Sequence, residues 1–544
     1  MLGLQSNRRV AAPRVLQSAE LPAPTGGMDA RVGIATNIPN VCLWAINIMP
    51  VEYGMRVRQG YREWQTGLPS EIRTIVPYDG LVETGLDDKI FSVCAEGIYD
   101  TSAASGTPVQ KIAFADNGED AGWGVYTHYI DASGDDMVYY ADGANGLFIY
   151  TPATDTWAQA SGITPAAGSL GTLDVTDIVY IVSHKLRLWF ITKNSNKAWY
   201  LPVASFQGEA TEFFFGAKFK HGGDLVGLFN WTVDGGAGRD DHLVAVSRGG
   251  DVLPYTGDDP SSDMTWENTG VFFIGRVPRG NRVASEYGGE LLLLSTFGVT
   301  PMSDLMGGVE VTDPARARVG DKVARLMRLD MRQYVGDHGW AINFVSDEGV
   351  IVINSPLRVD GGYRQYVMNT TTAGWGLWRD LPYVCGQSYS GDILFGDSDG
   401  RLLRMDTNID NVPKEGGSGN DIRWFLLTSF SDGGAPATNK RVSFIRPNFS
   451  ISESIPSIET YAIYDYLTLE PPMPISAPSA SFDSLWDTAL WDVDNWSAET
   501  RVPFKRTTGA WGMGHTFAIA ITGRSRGTTL LASIGVTWDV GGFL

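Results

Sequence analysis

The chain has 544 residues, 62 Asp+Glu against 42 Lys+Arg, and a formal net charge of −20 at pH 7. Its 43% hydrophobic and 11% aromatic content can bury a large core, which excludes a disordered chain. The acidity excludes a protein that grips nucleic acid through Lys and Arg contacts to phosphate.

Three cysteines, Cys42, Cys94 and Cys385, are scattered with no CxxC pair, so neither a disulfide framework nor a zinc site is expected. The first residues lack the apolar core of a signal peptide, and no later run approaches the ~18 apolar residues of a membrane span. A soluble protein made in a cytoplasm is expected.

Residues 1–40 are Ala/Pro/Arg-rich without a sustained period and read as an arm. Residues 1–73 hold eight Arg and no Lys against five acids, so the chain beyond them carries −23.

From Lys89 the text becomes short β-type runs broken by Gly, Asp and Asn, such as KIFSVCAEGIYD, DMVYYADGANGLFIYTPATDTWAQA and DILFGDSDGRLLRMD. Each unit is an apolar strand, a turn such as Asp142-Gly143 or Asp399-Gly400, and a second strand. Units starting near 89, 136, 177, 241, 289, 339 and 392 have the spacing of propeller blades, so the expected fold is all-β, a β-propeller of five to seven blades. Trp157, Trp199, Trp266 and Trp378, late in their units, are expected to pack between blades.

One segment near 313–334 reads as an inserted helix: Asp313 is a candidate N-cap, Pro314 takes the first position, and Val319, Val323, Leu326 and Met327 share a face. A Gly-rich cluster at 412–419 marks a boundary. The expected domains are therefore an arm over 1–40, a propeller over 41–411 and an additional C-terminal β platform domain over 412–544.

No phosphate-binding Gly loop, dinucleotide fingerprint, G-x-S-x-G or H-E-x-x-H occurs, and no catalytic, cofactor or metal residue is expected. The histidines, His128, His184, His221, His242, His338 and His515, are widely separated and read as ordinary strand or loop residues. Carboxylate clusters at Asp131, Asp135 and Asp136, at Asp240 and Asp241, at Asp258, Asp259 and Asp263, and at Asp397 and Asp399 admit a glycosidase reading, which needs a defined separation across a cleft. The run DNGEDAG (116–122) lacks the ligand order of a calcium loop and reads as a turn, as does SDEGVIV from Ser346. The stretch FDSLWDTALWDVDNW, with Trp486, Trp491 and Trp496 between Asp483, Asp487, Asp492 and Asp494, reads as an irregular docking segment; a carbohydrate-stacking platform is the alternative.

Several segments in order resemble the tail nozzle proteins of short-tailed bacteriophages, also called tail tubular protein B and related to phage tail-hub and packaged-DNA-stabilisation proteins. They are INIMPVEYGMRVRQGY (Ile46 to Tyr61), the run from Asp240 to Arg276, the run from Arg364 to Asn408, and the ending VTWDVGGFL. The resemblance covers residues from about 44 to the end and implies a non-enzymatic virion protein of the tail, assembled in the host cytoplasm. It implies a homohexameric ring below the portal and adaptor rings that extends the DNA-ejection channel and helps seat fibres or spikes. Genomic DNA would pass the lumen without tight binding, repelled by acidic charge lining it, and no cofactor or membrane span is implied. The rival readings are a propeller glycosidase or depolymerase acting on host surface polysaccharide, and a carbohydrate-binding propeller.

Overall fold

The computed structural model describes residues 16–541 apart from 32–39, 81–86, 105, 235–238, 263–264, 308–319, 359–360, 416, 469, 475 and 479–501. The chain divides into two compact units, Gln59–Asn420 and a terminal unit made of Met1–Arg58 with Asp421–Leu544.

The larger unit is a β-propeller. Seven sheets follow one another along residues 74–407, antiparallel but for the parallel pair Ile163–Pro165 with Gly208–Phe214, and six of them have four or more strands. The first spans 74–113, the second 125–159, the third 163–214 and the fourth 225–273; the fifth, 284–301, has three strands, and the sixth and seventh span 341–378 and 385–407. From the second sheet on, the innermost strands of successive sheets touch one another and the seventh's touches the first's, and a central cavity is lined by residues from all seven, among them Ile75, Tyr126, Tyr180, Phe229, Ala284, Ile342 and Gln387. The strands next to them, such as Glu290–Ser295, are buried on both faces, which is why they read as continuous apolar runs such as Leu291–Leu294 rather than as alternation.

Tryptophans close the gaps between blades, as expected. Trp157 of the second sheet meets Phe91 of the first edge-on at 5.2 Å between ring centroids, and Trp266 of the fourth stacks on Trp189 of the third at 5.8 Å. Trp199 and Trp378 are buried too.

The seventh blade gains its fourth strand from Gly60–Gln65, which pairs antiparallel with Leu402–Thr407. The chain thus closes the ring with its earliest propeller segment, leaving no open edge at the junction. Glycine is required at the entry: a Cβ on Gly60 would lie 2.1 Å from the Ile409 carbonyl oxygen.

Two helices accompany the three-stranded sheet, Met302–Met306 and Asp321–Tyr334. The long one packs on that sheet's outer strand, Gly298–Pro301, where other blades have a fourth strand. It starts later than the expected 313, at Asp321 after Gly320; Val319, Asp313 and Pro314 lie outside the described residues. Val323 and Met327 are buried as expected, joined by Ala324, Met331 and Tyr334.

The expected domain limits at 41 and 412 are corrected. Leu16–Pro22, assigned to an arm, is a strand paired antiparallel with Thr529–Val540; Cys42–Ile46 pairs with Ile422–Thr428, and Gly54–Val57 reaches Thr529–Val540. Residues 16–58 belong to the C-terminal β-domain because its strands supply their hydrogen bonds, pairings across about 380 to 520 residues that local pattern cannot show. Within this unit two sheets face each other through Trp424 against Phe449 and Phe517 against Trp538, with the long strands Lys440–Ile451 and Thr529–Val540 alternating in burial.

The charge divides with the fold. The terminal unit holds 15 basic and 15 acidic residues, while the propeller holds 27 against 47, so the whole excess of acid belongs to the propeller.

Candidate functional site

The first strand of each sheet begins at one face of the propeller and turns at the other, so the central channel has two chemically different mouths.

At the mouth where those strands begin, a funnel of about 670 Å³ is lined by loops of the first to sixth sheets. The DNGEDAG run supplies Glu119 and Asp120. Arg279 spans both, its Nη1 donating to Glu119 Oε1 at 2.6 Å and its Nη2 to Asp120 Oδ1 at 2.8 Å. His338 Nε2 lies 2.7 Å from the same Asp120 oxygen, and its ring stacks on Trp123 with centroids 5.3 Å apart and planes 6° from parallel. Burial works to raise the Asp120 carboxyl, but the hydrogen bonds from His338 and Arg279 outweigh it and hold it below the ordinary carboxylate range. Burial lowers His338, so its neutral ring donates to an ionised carboxylate.

Arg282, next to the funnel, lines the central cavity. Its Nη2 donates to the Arg73 carbonyl at 2.7 Å and lies 3.2 Å from Thr74 Oγ1, and its guanidinium sits 5.3 Å from the Trp123 ring centroid. Beyond it the channel is a cavity of about 270 Å³ edged by Tyr126, Tyr180, Phe229 and Ile342. At ~30 Å³ per molecule that is room for on the order of ten waters.

The opposite mouth carries the first hairpin of each sheet and is acidic. The first sheet contributes Asp79, Asp87 and Asp88, the second Asp131, Asp135 and Asp136, and the sixth Asp347 and Glu348; Lys185 of the third is a cation among them. Burial together with Asp136, Asp87 and Asp88 pushes the Tyr78 hydroxyl up to about 12.

The structure brings few of the residues singled out in the sequence into one place. Asp131 caps its own hairpin, accepting from the Ser133 and Asp135 amides; Asp258 pairs with Lys185 at 2.8 Å; Asp259 accepts from Ser261; buried Asp397 accepts from the Asp399 and Arg401 amides and pairs with Arg401. These are turn and loop duties. Asp263, the Asp240 side chain and Trp486, Trp491 and Trp496 lie outside what is described. His184 and His242 come near each other, but His184 Nδ1 is held by Asn230 Oδ1 at 2.7 Å and its ring is lowered by burial. His221 is fixed on buried Asp251 at 2.7 Å. Burial, and after it the Asp241 carboxylate, raises the Glu286 carboxyl above its ordinary value. Among the described residues no group of three or more His, Cys, Asp or Glu is placed to hold a metal ion. Arg279 and Arg282 share one loop while Trp123 and His338 come from two others, and the four form no sequence motif.

No family model and no curated protein matches the chain. Among solved structures, the extracellular domain of a hybrid two-component system from B. thetaiotaomicron aligns at 11% identity and a TM-score of 0.41, covering 76% of this chain and 56% of that one. The chain thus spans little more than half the length of that neighbour. YCF48 bound to D1 peptide aligns at 11% identity, TM-score 0.35, over 66% of this chain and 96% of that one, and YCF48 from Cyanidioschyzon merolae at 11%, TM-score 0.31, over 63% and 97%. No helix among the described residues is long and apolar enough to cross a membrane. The propeller assignment stands on the cyclic order of the sheets themselves.

Proposed function

We propose that this chain is a structural subunit of the tail of a short-tailed bacteriophage, a nozzle protein whose copies assemble as a ring, six in the family it resembles, and extend the DNA-ejection channel. The observation that carries the reading is where the resembling segments fall in the fold. Ile46 to Tyr61 runs from the terminal unit into the strand that closes the propeller; Asp240 to Arg276 holds most of the fourth blade; Arg364 to Asn408 supplies the outer half of the sixth sheet and all three later strands of the seventh; and the ending lies in the long strand Thr529–Val540. Segments that match in order therefore also mark the chain's structural joints.

Charge supports the reading. The propeller's own central cavity is only about 270 Å³, so DNA in this reading passes between subunits, along surfaces that belong to the acidic unit and repel phosphate. The adaptor ring and the fibres or spikes are the partners the family implies.

Negative-stain images of the purified chain test this directly. A six-fold ring with a central hole, together with no retention of duplex DNA at about 0.15 M salt, is the expected result. A monomer that also fails to join an adaptor ring, or tight DNA binding, overturns it.

The raised Glu286 beside Asp241 favours a second reading, a propeller glycosidase with Glu286 as its acid. Release of reducing sugar from purified capsular polysaccharide, abolished by Glu286→Gln, would establish that reading instead.

A further inference from the structure

We propose that the outward face of the helix Asp321–Tyr334 docks on the acidic hairpin face of a second copy of this chain. The inference rests on the ring-forming reading above and names the contact that would build the ring.

The helix buries Val323, Ala324, Met327, Asp330, Met331 and Tyr334, which leaves Arg325, Arg328, Leu329 and Arg332 at i, i+3, i+4 and i+7 on one exposed stripe. Leu329 is 56% exposed at its centre. Elsewhere in the propeller, arginines such as Arg279, Arg358, Arg364, Arg401 and Arg404 hold carboxylates. Among the described residues Arg325, Arg328 and Arg332 hold none. In a unit with 47 acids and 27 bases, three neighbouring guanidiniums that hold no carboxylate among the described residues form a cationic stripe open to an acidic partner.

The partner must be acidic and must cover a leucine. An apolar anchor ringed by arginines is the anatomy of a protein interface, whereas phosphate contacts use the cations and leave the leucine in water. The surrounding excess of acid also repels a polyanion. The hairpin face fits: Asp79, Asp135 and Asp347 are exposed on the first, second and sixth sheets, within the arc of blades that the seventh joins. One chain carries both halves, so the contact is head-to-tail, the kind that closes into a ring when its rotation closes.

Sedimentation velocity of the full chain tests this at about 0.1 M salt, where the screening length is ~10 Å, and at about 1 M, where it is ~3 Å. Wild type should assemble at low salt and weaken at high salt. The triple reversals Arg325→Glu/Arg328→Glu/Arg332→Glu and Asp79→Arg/Asp135→Arg/Asp347→Arg, each checked for native circular dichroism and melting, should each raise the assembly concentration on the order of 100-fold. Mixing the two variants should restore assembly, which general destabilisation would not do. A ring unchanged by the helix reversal, or a mixture that stays dissociated, overturns the proposed contact while leaving the ring reading intact. A wild type that stays monomeric at every salt concentration overturns both. If the helix reversal abolishes duplex-DNA retention and leaves assembly untouched, the stripe is a polyanion site and the proposal is wrong.

Discussion

Asp330 is where the inserted helix is fastened to the propeller, and its removal should be costly. The carboxylate is buried, accepting from Arg358 Nη1 at 2.6 Å, from Arg364 Nη1 at 3.1 Å and from the Tyr366 hydroxyl at 2.6 Å. All three partners lie in or beside the sixth sheet, so this one side chain joins the helix to the next blade. Asp330→Ala would take the shared carboxylate away from two part-buried guanidiniums and from the Tyr366 hydroxyl. Breaking a buried ion pair by deleting one partner costs about 3–5 kcal/mol. The arginine side chains retain 18% and 14% exposure and can recruit some water, so the lower half of that range, about 3–4 kcal/mol, is expected. At roughly 2 °C per kcal/mol for a large domain, the melting midpoint should fall on the order of 6–8 °C by scanning calorimetry. Asp330→Asn keeps an acceptor for Tyr366 but no charge, and should fall between. If the helix is the ring contact, both variants should also raise the assembly concentration, Ala more than Asn. A loss under about 1 kcal/mol for Asp330→Ala would place the site among exposed, screened pairs and refute the anchoring argument.

Stability should decline as pH falls from 7.5 towards 5.5. His184 and His338 are both lowered by burial, so below the unfolded value near 6.5 the unfolded chain binds protons that the native chain refuses, and stability drops until pH reaches their folded values. His184→Gln should flatten that slope in thermal melts; an unchanged slope would show that other groups cause it. Gly60→Val should open the ring closure, because the added carbons meet the Ile409 backbone, and limited proteolysis should then release the 59–66 segment before any blade is cut. The three free cysteines are buried, with the Cys385 thiol pushed up to about 12 and Cys94 also raised by burial, so a thiol reagent at pH 8 should label none in the native protein and three after unfolding.

What could be read from the sequence follows how local each feature is. Hairpins were legible because their signal is two adjacent apolar runs and a turn: Asp142-Gly143 does end a strand, although the Asp142 carboxylate also holds the Gly122, Ala144 and Asn145 amides, a task no turn rule assigns. The inter-blade tryptophans were legible because the propeller repeats, and a large aromatic late in each unit has only one kind of place to go. The closing strand was not: Gly60–Gln65 looks like any short strand, and its partner Leu402–Thr407 lies some 340 residues away. The arm failed for the same reason, since Leu16–Pro22 has little burial of its own and is a strand only because Thr529–Val540 offers it an edge. The funnel failed more thoroughly. DNGEDAG reads as a turn, which it is, but its Glu119 and Asp120 acquire their role only when Arg279 and His338 arrive from loops about 160 and 218 residues further on.

The net charge shows how non-local pairing alters a conclusion drawn from composition. Cutting the sequence at residue 73 gives a positive head and an acidic remainder, which places acid in both the propeller and the C-terminal domain. The fold cuts differently. Residues 1–58 bring three more bases than acids to a C-terminal segment that has three more acids than bases, and the two cancel. The terminal unit is therefore formally neutral, and the propeller alone carries −20. An acidic conduit, if the chain builds one, must be walled by propellers, and its potential must fall where the terminal units begin. Reversing exposed propeller acids away from the hairpin face, such as Glu209 and Glu267, should then change DNA retention by the assembled ring, whereas reversing the same number in the terminal unit should leave it unchanged; equal effects from the two sets would refute the assignment of the wall to the propeller.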